Sequence, residues 1–308
     1  MISIIGAGKV GSAIAFLCGS AGLDDIVLIN RNEKKAIGEA LDVSNAIPAQ
    51  STISIRGTSD YSQIKNSDVI VITASVATHV ATRSDVMLEQ SVMVSNIEKQ
   101  IANFAPNSKV LVVTNPVDVM TYLVHKQGNL KSKNVIGVAS SLDSSRFRYV
   151  LAKHFQADQS QIRDAIVMGE HDDSMVPIFS HAKFDSTLID KLLNDTQKSQ
   201  ITSDVRNYWK SLREYKGTSV FGIAKNTFDV ISSIIKDQPL DTVASALLEG
   251  QYGFYDMCMG VPLTINKNGI AKIDQISITD KEKEQLHKSS NMIKNNIAKV
   301  NEFLKSSL

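Results

Sequence analysis

Cysteine is nearly absent from this sequence of 308 residues, which contains only Cys18 and Cys258. Neither belongs to a Cys-x-x-Cys motif or stands beside a cluster of cysteine and histidine, so the pattern of a disulfide-stapled fold or of a zinc site is missing. We therefore expect no metal site. Cys18 is expected to be a small apolar residue on the inner face of the first helix.

An excess of charge of one sign is also missing. The 33 basic and 32 acidic side chains leave a formal net charge of +1, which gives no electrostatic reason to expect a nucleic acid or an anionic membrane as a partner. No apolar run approaches the roughly 20 residues of a membrane span, and the first residues lead directly into a strand rather than a signal peptide. The sequence predicts a cytoplasmic protein without a membrane partner.

The chain does carry a glycine-rich turn at its start. An apolar run at residues 2–5 leads into Gly6-x-Gly8-x-x-Gly11, a helical segment and a second apolar run. Gly6 permits a tight turn, Gly8 lets backbone amides approach a pyrophosphate, and Gly11 lets the helix pack closely on the strand. The helix N-terminus would face the phosphates with its partial positive charge. This order of elements predicts a dinucleotide-binding βαβ unit.

Asn30 and Arg31 follow the second apolar run, where an NAD enzyme usually carries an acidic residue that accepts the ribose hydroxyls. A carboxylate would repel a 2′-phosphate, whereas Asn30 tolerates one and Arg31 can bind it through charge-assisted hydrogen bonds. Alternatively, Asn30 binds a 2′-hydroxyl and Arg31 is an ordinary solvated side chain. The pattern favours NADP and leaves NAD open. The residues expected to contact the cofactor are Gly6, Gly8, Lys9, Val10, Gly11, Asn30, Arg31, Thr73, Ala74 and Asn115.

Strand-like apolar runs alternate with helical segments through the first half of the chain. The runs lie at residues 53–55, 69–73, 110–114 and 135–138. This alternation is typical of an α/β fold with a Rossmann doubly wound parallel sheet, which we assign to residues 1–141 as a dinucleotide-binding domain. A helix is expected over residues 85–104 of that domain.

The pattern of predicted helices and strands changes after about Leu142. A helix, short apolar runs, long helical stretches and a short β region at residues 252–273 follow one another. This arrangement predicts a mixed α+β substrate domain over residues 142–308. Thr279-x-x-Glu282 has the spacing of a capping box, which predicts the start of a last helix that serves packing.

Polar side chains follow several of the predicted strands, where open parallel sheets bind their ligands. Asn115 follows one apolar run and could orient a nicotinamide amide or a substrate oxygen, although Asn-Pro also initiates turns. His171 follows another run, at residues 165–168. Asp143 and Arg146 are three residues apart and share one face of a helix, an arrangement that is also common in surface salt bridges. Arg83 stands just before the helix at residues 85–104.

These motifs resemble those of the L-lactate/malate dehydrogenase family over nearly the whole chain. The matching segments are GAGKVG (6–11), GEALDVSNA (38–46), VTNPVDVMTY (113–122), VIGVASSLDSSRFR (135–148), MGEHDDSMVP (168–177) and KGTSVFGIA (216–224). The resemblance implies a homodimer or homotetramer in which a nicotinamide domain and a substrate domain together hold the site. It also implies hydride transfer between C4 of the nicotinamide and C2 of a small 2-keto or 2-hydroxy acid.

The resemblance assigns a role to each polar residue. His171 matches the proton donor, and Asp143 matches the carboxylate that orients the imidazole and stabilises its charged form. Arg146 matches the arginine that binds the substrate's C1 carboxylate in a bidentate manner. Arg83 matches the arginine that polarises the C2 carbonyl, and Ser219 resembles the hydroxyl residue beside the substrate.

The loop before Arg83 departs from the family pattern. It reads SVATHVATR over residues 75–83, one residue shorter than usual, so the position that selects the substrate falls at Ala77 or Thr78. Malate-specific members carry an arginine there for the second carboxylate of oxaloacetate, and this loop offers none. His79 or an arginine from elsewhere could take its place, or the substrate could have a smaller or uncharged side chain. Asp172 also replaces the glycine that commonly follows the catalytic histidine.

The leading hypothesis is an NADP- or NAD-dependent malate dehydrogenase, as in the tricarboxylic acid cycle, because NPVDVMTY and MGEHDDSMVP look most like the malate branch. Lactate and pyruvate, or another 2-keto acid, are the alternative substrates. A different class, suggested by the altered loop and Asp172, is a dinucleotide-binding protein that has lost catalysis. The joint presence of His171, Asp143, Arg146 and Arg83 argues against that class.

Overall fold

The computed structural model describes residues 1–76, 83–128 and 130–306, without the side chains of Arg83 and Ser84. The first part of the fold contains the parallel strands β1 (Ile2–Ile5), β2 (Ile26–Ile29), β3 (Ile55–Thr58), β4 (Val69–Ile72), β5 (Lys109–Val112) and β6 (Val135–Gly137). Across the sheet they lie in the order β3-β2-β1-β4-β5-β6. The direction in which successive strands are added to the sheet therefore reverses between β1 and β4, while all six strands stay parallel. The predicted Rossmann sheet is confirmed.

Helices connect these strands and cover the sheet. They are α1 (Lys9–Ser20), α2 (Glu33–Ser44), α3 (Arg83–Phe104), α4 (Val117–Gln127) and α5 (Ser140–Phe155), which follows β6. The predicted helix at residues 85–104 is therefore present and begins at Arg83. Strands β1, β2 and β4 are buried along their whole length, which explains why they appear in the sequence as continuous apolar runs.

The predicted strand at residues 53–55 is wrong in its position, because β3 begins at Ile55 and continues to Thr58. This strand lies at the edge of the sheet and is only half-buried. Its last three residues, Arg56, Gly57 and Thr58, have no large apolar side chain, so an apolar run does not mark where the strand ends. Gly57 lies in its middle, where a Cβ would come within 2.1 Å of the Ala36 carbonyl oxygen on α2. Close packing of α2 on the edge strand therefore requires a glycine inside the strand.

The second part of the chain is mixed, as predicted. Its helices are α6 (Asp195–Lys216), α7 (Phe221–Lys236) and α8 (Asp280–Ser306). Five two-residue strands come first: β7 (Ile162–Arg163), β8 (Val167–Met168), β9 (Val176–Pro177), β10 (Lys183–Phe184) and β11 (Thr187–Leu188). Three longer strands follow: β12 (Leu240–Glu249), β13 (Tyr255–Asn266) and β14 (Gly269–Ile273). At the start of α8, Thr279 and Glu282 form the predicted capping box.

Strand β12 falls in a stretch that the sequence pattern assigned to helix. Its residues 243–246 are all buried because helices α4, α5 and α7 pack against the strand, so the alternation typical of a half-exposed strand is lost. Strands β12, β13 and β14 pair antiparallel and extend the parallel sheet to nine strands. The second part of the chain thus shares a sheet with the first part.

The contact between these two halves of the sheet is narrow. Strand β12 pairs with β6 through Ser245 and Gly137, and we call this pair the sheet joint. A Cβ at Gly137 would lie 2.7 Å from the Ser245 Cβ and 2.4 Å from the Thr121 Oγ1. The joint therefore requires glycine on its parallel side.

One large apolar core runs under both faces of the sheet, and a smaller cluster lies beneath α5 and α6. Cys18 is fully buried in α1, as predicted. Within the described ranges, no helix has the length and apolarity needed to cross a membrane, and no cluster of three potential metal ligands is found.

Candidate active site

The glycine-rich turn lies between β1 and α1 and has the predicted geometry. Gly6 has a φ of +115°, and a Cβ there would lie 2.6 Å from the Ala74 amide nitrogen. A Cβ at Gly11 would lie 2.0 Å from the Gly6 carbonyl oxygen, so helix and turn pack too closely for any other residue. Thr73 Oγ1 donates a hydrogen bond of 2.9 Å to that same carbonyl. These contacts fix the turn.

The described residues leave the space in front of this turn open. A Cβ at Gly8 would meet none of their atoms within 4 Å, and none of their side chains caps the N-terminus of α1, which begins after Gly8. Backbone amides at an uncapped helix N-terminus attract phosphate groups. The turn therefore fits the pyrophosphate of a dinucleotide, with Lys9 exposed and Val10 half-buried beside it.

The end of β2 presents hydrogen-bond donors rather than a carboxylate. Asn30 Oδ1 accepts a hydrogen bond of 2.9 Å from the Asn32 amide, and Asn32 in turn caps α2. Arg31 is exposed beside them. A guanidinium and a carboxamide at this position are compatible with either a ribose hydroxyl or a 2′-phosphate.

The end of β4 is fixed by a buried residue that sequence reasoning missed. Gln90 on α3 is 2% exposed. Its side chain donates a hydrogen bond of 3.1 Å to the Ala74 carbonyl and accepts one of 3.0 Å from the Val76 amide. Thr114 Oγ1 also donates to the Ala74 carbonyl, at 2.7 Å. Residues 77–82 and the side chain of Arg83 lie outside the described residues, so the predictions for Ala77, Thr78, His79 and the Arg83 side chain stay predictions.

Asn115 and Ser219 both lie in connections between elements. Asn115 is exposed three residues after the end of β5, at the same end of the parallel strands as the glycine turn, and its peptide bond to Pro116 is cis. Ser219 is half-buried in the short connection before α7. Neither side chain has a hydrogen bond to a described residue that defines a role.

The structure brings His171, Asp143 and Arg146 into direct contact. Asp143 lies in the first turn of α5 and is 1% exposed. Its Oδ2 lies 2.5 Å from His171 Nδ1, and its Oδ1 accepts a hydrogen bond of 3.1 Å from Arg146 NH1. The helical spacing of Asp143 and Arg146 thus produces a buried ion pair, to which a histidine from a distant loop is added.

The charges of this group favour a protonated imidazole. Burial lowers the pKa of His171, but the charge and hydrogen bond of Asp143 oppose it, and the net result is a pKa above the ordinary value. Arg146 lowers that pKa in part. The buried Arg146 Nε has no hydrogen-bond partner among the described residues, and the guanidinium lies over the Tyr208 ring at 5.5 Å. A buried, incompletely paired guanidinium is suited to bind a carboxylate.

Three neighbouring elements hold the backbone that carries His171. Gly169 exchanges two hydrogen bonds of 3.0 and 3.1 Å with Gly260 on β13. The Glu170 amide donates a hydrogen bond of 2.7 Å to Ser289 Oγ on α8. The His171 amide donates a hydrogen bond of 2.9 Å to Asp118 Oδ2 on α4. The strand expected at residues 165–168 is shorter, with β8 confined to Val167–Met168, and the three contacts hold the chain directly after it.

Two family models cover almost the whole chain. Residues 1–137 match the NAD binding domain of lactate/malate dehydrogenase, and residues 140–304 match the alpha/beta C-terminal domain of the same enzymes. The chain belongs to the lactate/malate dehydrogenase family. The predicted oxidoreductase class and the predicted nicotinamide-binding Rossmann fold are confirmed.

Individual members of the family are similar in both sequence and structure. The malate dehydrogenase of Staphylococcus saprophyticus is 34% identical over 298 residues, covering 95% of each chain. The L-lactate dehydrogenase of Priestia megaterium is also 34% identical, over 302 residues that cover 95% of this chain and 94% of the relative. The lactate dehydrogenase of Cryptosporidium parvum, solved with lactic acid and nicotinamide adenine dinucleotide, superposes with a TM-score of 0.92 at 31% identity over 97% of both chains.

Proposed function

We propose that this protein catalyses reversible hydride transfer between a nicotinamide cofactor and C2 of a small 2-keto or 2-hydroxy acid, with His171 as the acid and base. The observation that carries this proposal is the contact of one buried carboxylate, Asp143, with both the His171 imidazole and the Arg146 guanidinium. A proton donor and an anion-binding group are thereby placed side by side, as reduction of a keto acid requires.

The residues divide the chemistry among themselves. Because Asp143 occupies His171 Nδ1, Nε2 is the ring atom left to give a proton to the oxygen that develops charge at C2. Arg146 binds the C1 carboxylate through the part of its guanidinium that Asp143 does not occupy. The nicotinamide, when bound, supplies or accepts the hydride. Asn115, Ser219 and Arg83 are proposed to complete the substrate site.

Malate and oxaloacetate remain the first proposal for the substrate pair, and lactate and pyruvate are the second. The similarity to a malate dehydrogenase and to a lactate dehydrogenase is equal, at 34% identity. The absence of an arginine at Ala77 or Thr78 supports a substrate without a second carboxylate, whereas the motifs after β5 and β8 support malate.

The proposed cofactor preference is for NADP, with NAD as the alternative. Asn30 and the exposed Arg31 support a bound 2′-phosphate because no carboxylate at the end of β2 would repel it. The Cryptosporidium relative was solved with NAD, which supports the alternative.

Assembly, domain division and location are further proposals. Ile37 and Leu41 are exposed apolar side chains one turn apart on α2, which supports self-association into a dimer or tetramer. We retain a boundary near residue 141 between a dinucleotide-binding and a substrate domain, and the cytoplasmic location stays a prediction.

The decisive experiment measures steady-state reduction of oxaloacetate and of pyruvate, each with NADH and with NADPH. Fast oxaloacetate turnover would support malate dehydrogenase activity and a second-carboxylate partner outside residues 77–78. Turnover of pyruvate alone would support the lactate assignment. If neither acid reacts while the cofactor still binds, as followed by the fluorescence of the reduced nicotinamide, the proposal of catalysis with these acids is wrong.

A further inference from the structure

Asp118 is a buried carboxylate with no place in the chemistry described so far. It lies in the first turn of α4 and is 2% exposed. Its two oxygens accept hydrogen bonds from residues far apart in the chain, 2.9 Å from the His171 backbone amide and 2.6 Å from Ser245 Oγ. An isolated buried carboxylate is costly, so its retention in the core indicates a specific task.

The two partners of Asp118 define that task. Ser245 belongs to the sheet joint, where β12 pairs with β6 through Gly137. His171 carries the imidazole that contacts Asp143. Asp118 therefore connects the backbone of the histidine directly to the place where the parallel and antiparallel parts of the sheet meet. The α4 N-terminus also favours a negative charge in its first turn.

We propose that Asp118 is a positioning residue for His171, which fixes the backbone of the histidine to the sheet joint through Ser245 and adds a second negative charge near its imidazole. This proposal rests on the proposed role of His171 as the proton donor. Asp143 orients the ring, whereas Asp118 holds the backbone from which the ring projects. Neither contact alone fixes the imidazole in space.

The surrounding charges are consistent with this role. Burial raises the pKa of Asp118 to about 6, while Ser245, the His171 amide and the charge of His171 lower it in part, and Asp143 raises it. Asp118 also contributes to the raised pKa of His171. Among the described residues, the other ionisable groups that face the pair are Arg146 on α5, Glu170 in the same loop and Cys258 on β13. At neutral pH the carboxylate is thus mostly charged.

Asp118→Asn and Asp118→Ala separate the two parts of the proposal. Asparagine keeps an oxygen that can accept from the His171 amide but removes the charge, so we expect the His171 pKa to fall by about 0.5 pH unit or more while the plateau kcat/KM for keto-acid reduction stays near wild type. Alanine also removes the acceptor, so we expect an additional loss in kcat/KM of about tenfold or more, with cofactor affinity unchanged.

Ser245→Ala provides a matched variant at the other end of the connection. It should reduce kcat/KM in the wild-type background but have little further effect in the Asp118→Ala background, because the two residues act through one path. If Asp118→Ala does not fold, Asp118→Asn and Ser245→Ala still test the proposal. Unchanged pH profiles in Asp118→Asn together with full activity in Ser245→Ala would overturn it.

A titration of the imidazole by NMR keeps this proposal separate from the proposed function. The His171 signal, assigned by its loss in His171→Asn, is followed in wild type and in Asp118→Asn without substrate. A lower pKa in Asp118→Asn would support the positioning proposal even if no tested keto acid reacted. An identical titration in both proteins would contradict the charge role, whatever the activity.

Discussion

His171 Nδ1 lies 2.5 Å from Asp143 Oδ2, although the two residues are separated by 28 positions in the chain. The other oxygen of Asp143 accepts from Arg146. One carboxylate therefore serves as counter-ion to both cations, so the group of three carries a net positive charge when the imidazole is protonated. A keto acid that brings one carboxylate would neutralise it.

Replacement of the imidazole should separate binding from chemistry. In His171→Asn we expect kcat to fall by about 10²–10⁴-fold, because the general acid is lost. Cofactor affinity should stay unchanged, since the glycine-rich turn makes no contact with His171 among the described residues. Steady-state kinetics and a fluorescence titration with the reduced cofactor measure the two effects, and normal turnover would remove His171 from the proposed mechanism.

The proposed carboxylate-binding role of Arg146 predicts a loss in substrate capture. Arg146→Lys keeps the charge but loses the planar pair of donors, so KM for the keto acid should rise by about tenfold or more. Arg148→Lys, on the same helix with its side chain at the surface beside Gln159, is the matched control and should leave KM unaltered. A normal KM in Arg146→Lys would refute the assignment.

The residue after β2 should decide the choice of cofactor. In Asn30→Asp we expect the ratio of kcat/KM for NADPH to that for NADH to fall by about tenfold or more, because a carboxylate repels the 2′-phosphate. Arg31→Ala should weaken the binding of NADPH without weakening the binding of NADH. If both variants keep the wild-type ratio, another part of the site makes the choice.

Two glycines of the turn should respond differently to the same added methyl group. Gly11→Ala places a Cβ 2.0 Å from a carbonyl oxygen, so we expect a loss of about 1–3 kcal/mol in the free energy of unfolding. Gly8→Ala adds its Cβ to open space and should change stability by less than about 0.5 kcal/mol, yet weaken cofactor binding. Denaturant unfolding and cofactor titration test the pair; equal destabilisation of both would contradict the described packing.

Glu170 should make the protein less stable as pH rises. Burial raises its pKa to about 7, with Ser174 opposing and nearby aspartates adding to the shift, whereas the unfolded carboxyl titrates near the ordinary value of 4.5. Between these values the folded state binds more protons, so the free energy of unfolding declines across that window. Glu170→Gln should be more stable than wild type at pH 8 by about 1–3 kcal/mol.

Thermal unfolding from pH 4 to pH 8 measures this slope in wild type and in Glu170→Gln. Asp118 and His171 also have raised pKa values, and both act in the same direction, so part of the decline should remain in the variant. If stability falls with pH by the same amount in Glu170→Gln as in wild type, Glu170 does not contribute to the pH dependence of stability.

The sequence predicts those features that local spacing encodes. The glycine turn, the apolar run of each parallel strand and the capping box of α8 each depend on residues within a few positions of one another. Strand β12 was missed because burial on both faces removes its alternation. Strand β3 was predicted at residues 53–55 and lies at Ile55–Thr58, because the half-buried edge strand has few apolar residues to mark its bounds. The Asp143–Arg146 pair follows from helical spacing, whereas its contact with His171 was expected only through the family resemblance.

Asp118 and Gln90 escaped prediction for another reason. Each forms hydrogen bonds with backbone groups that are far away along the chain, 53 positions for Asp118 and 14 or 16 positions for Gln90. Because residues of nearly every type have the same backbone amide and carbonyl, the sequence does not indicate which of them is the partner. Only the folded chain shows these contacts.

The sheet joint also limits how the chain can be divided. Without β12, Gly137 would lose its pairing with Ser245, and β6 would become the outer strand of the parallel sheet. Such an edge is a template on which further chains can add. A fragment that ends near residue 141 would therefore tend to aggregate during expression, and co-production with the remainder of the chain would be needed to keep it in solution.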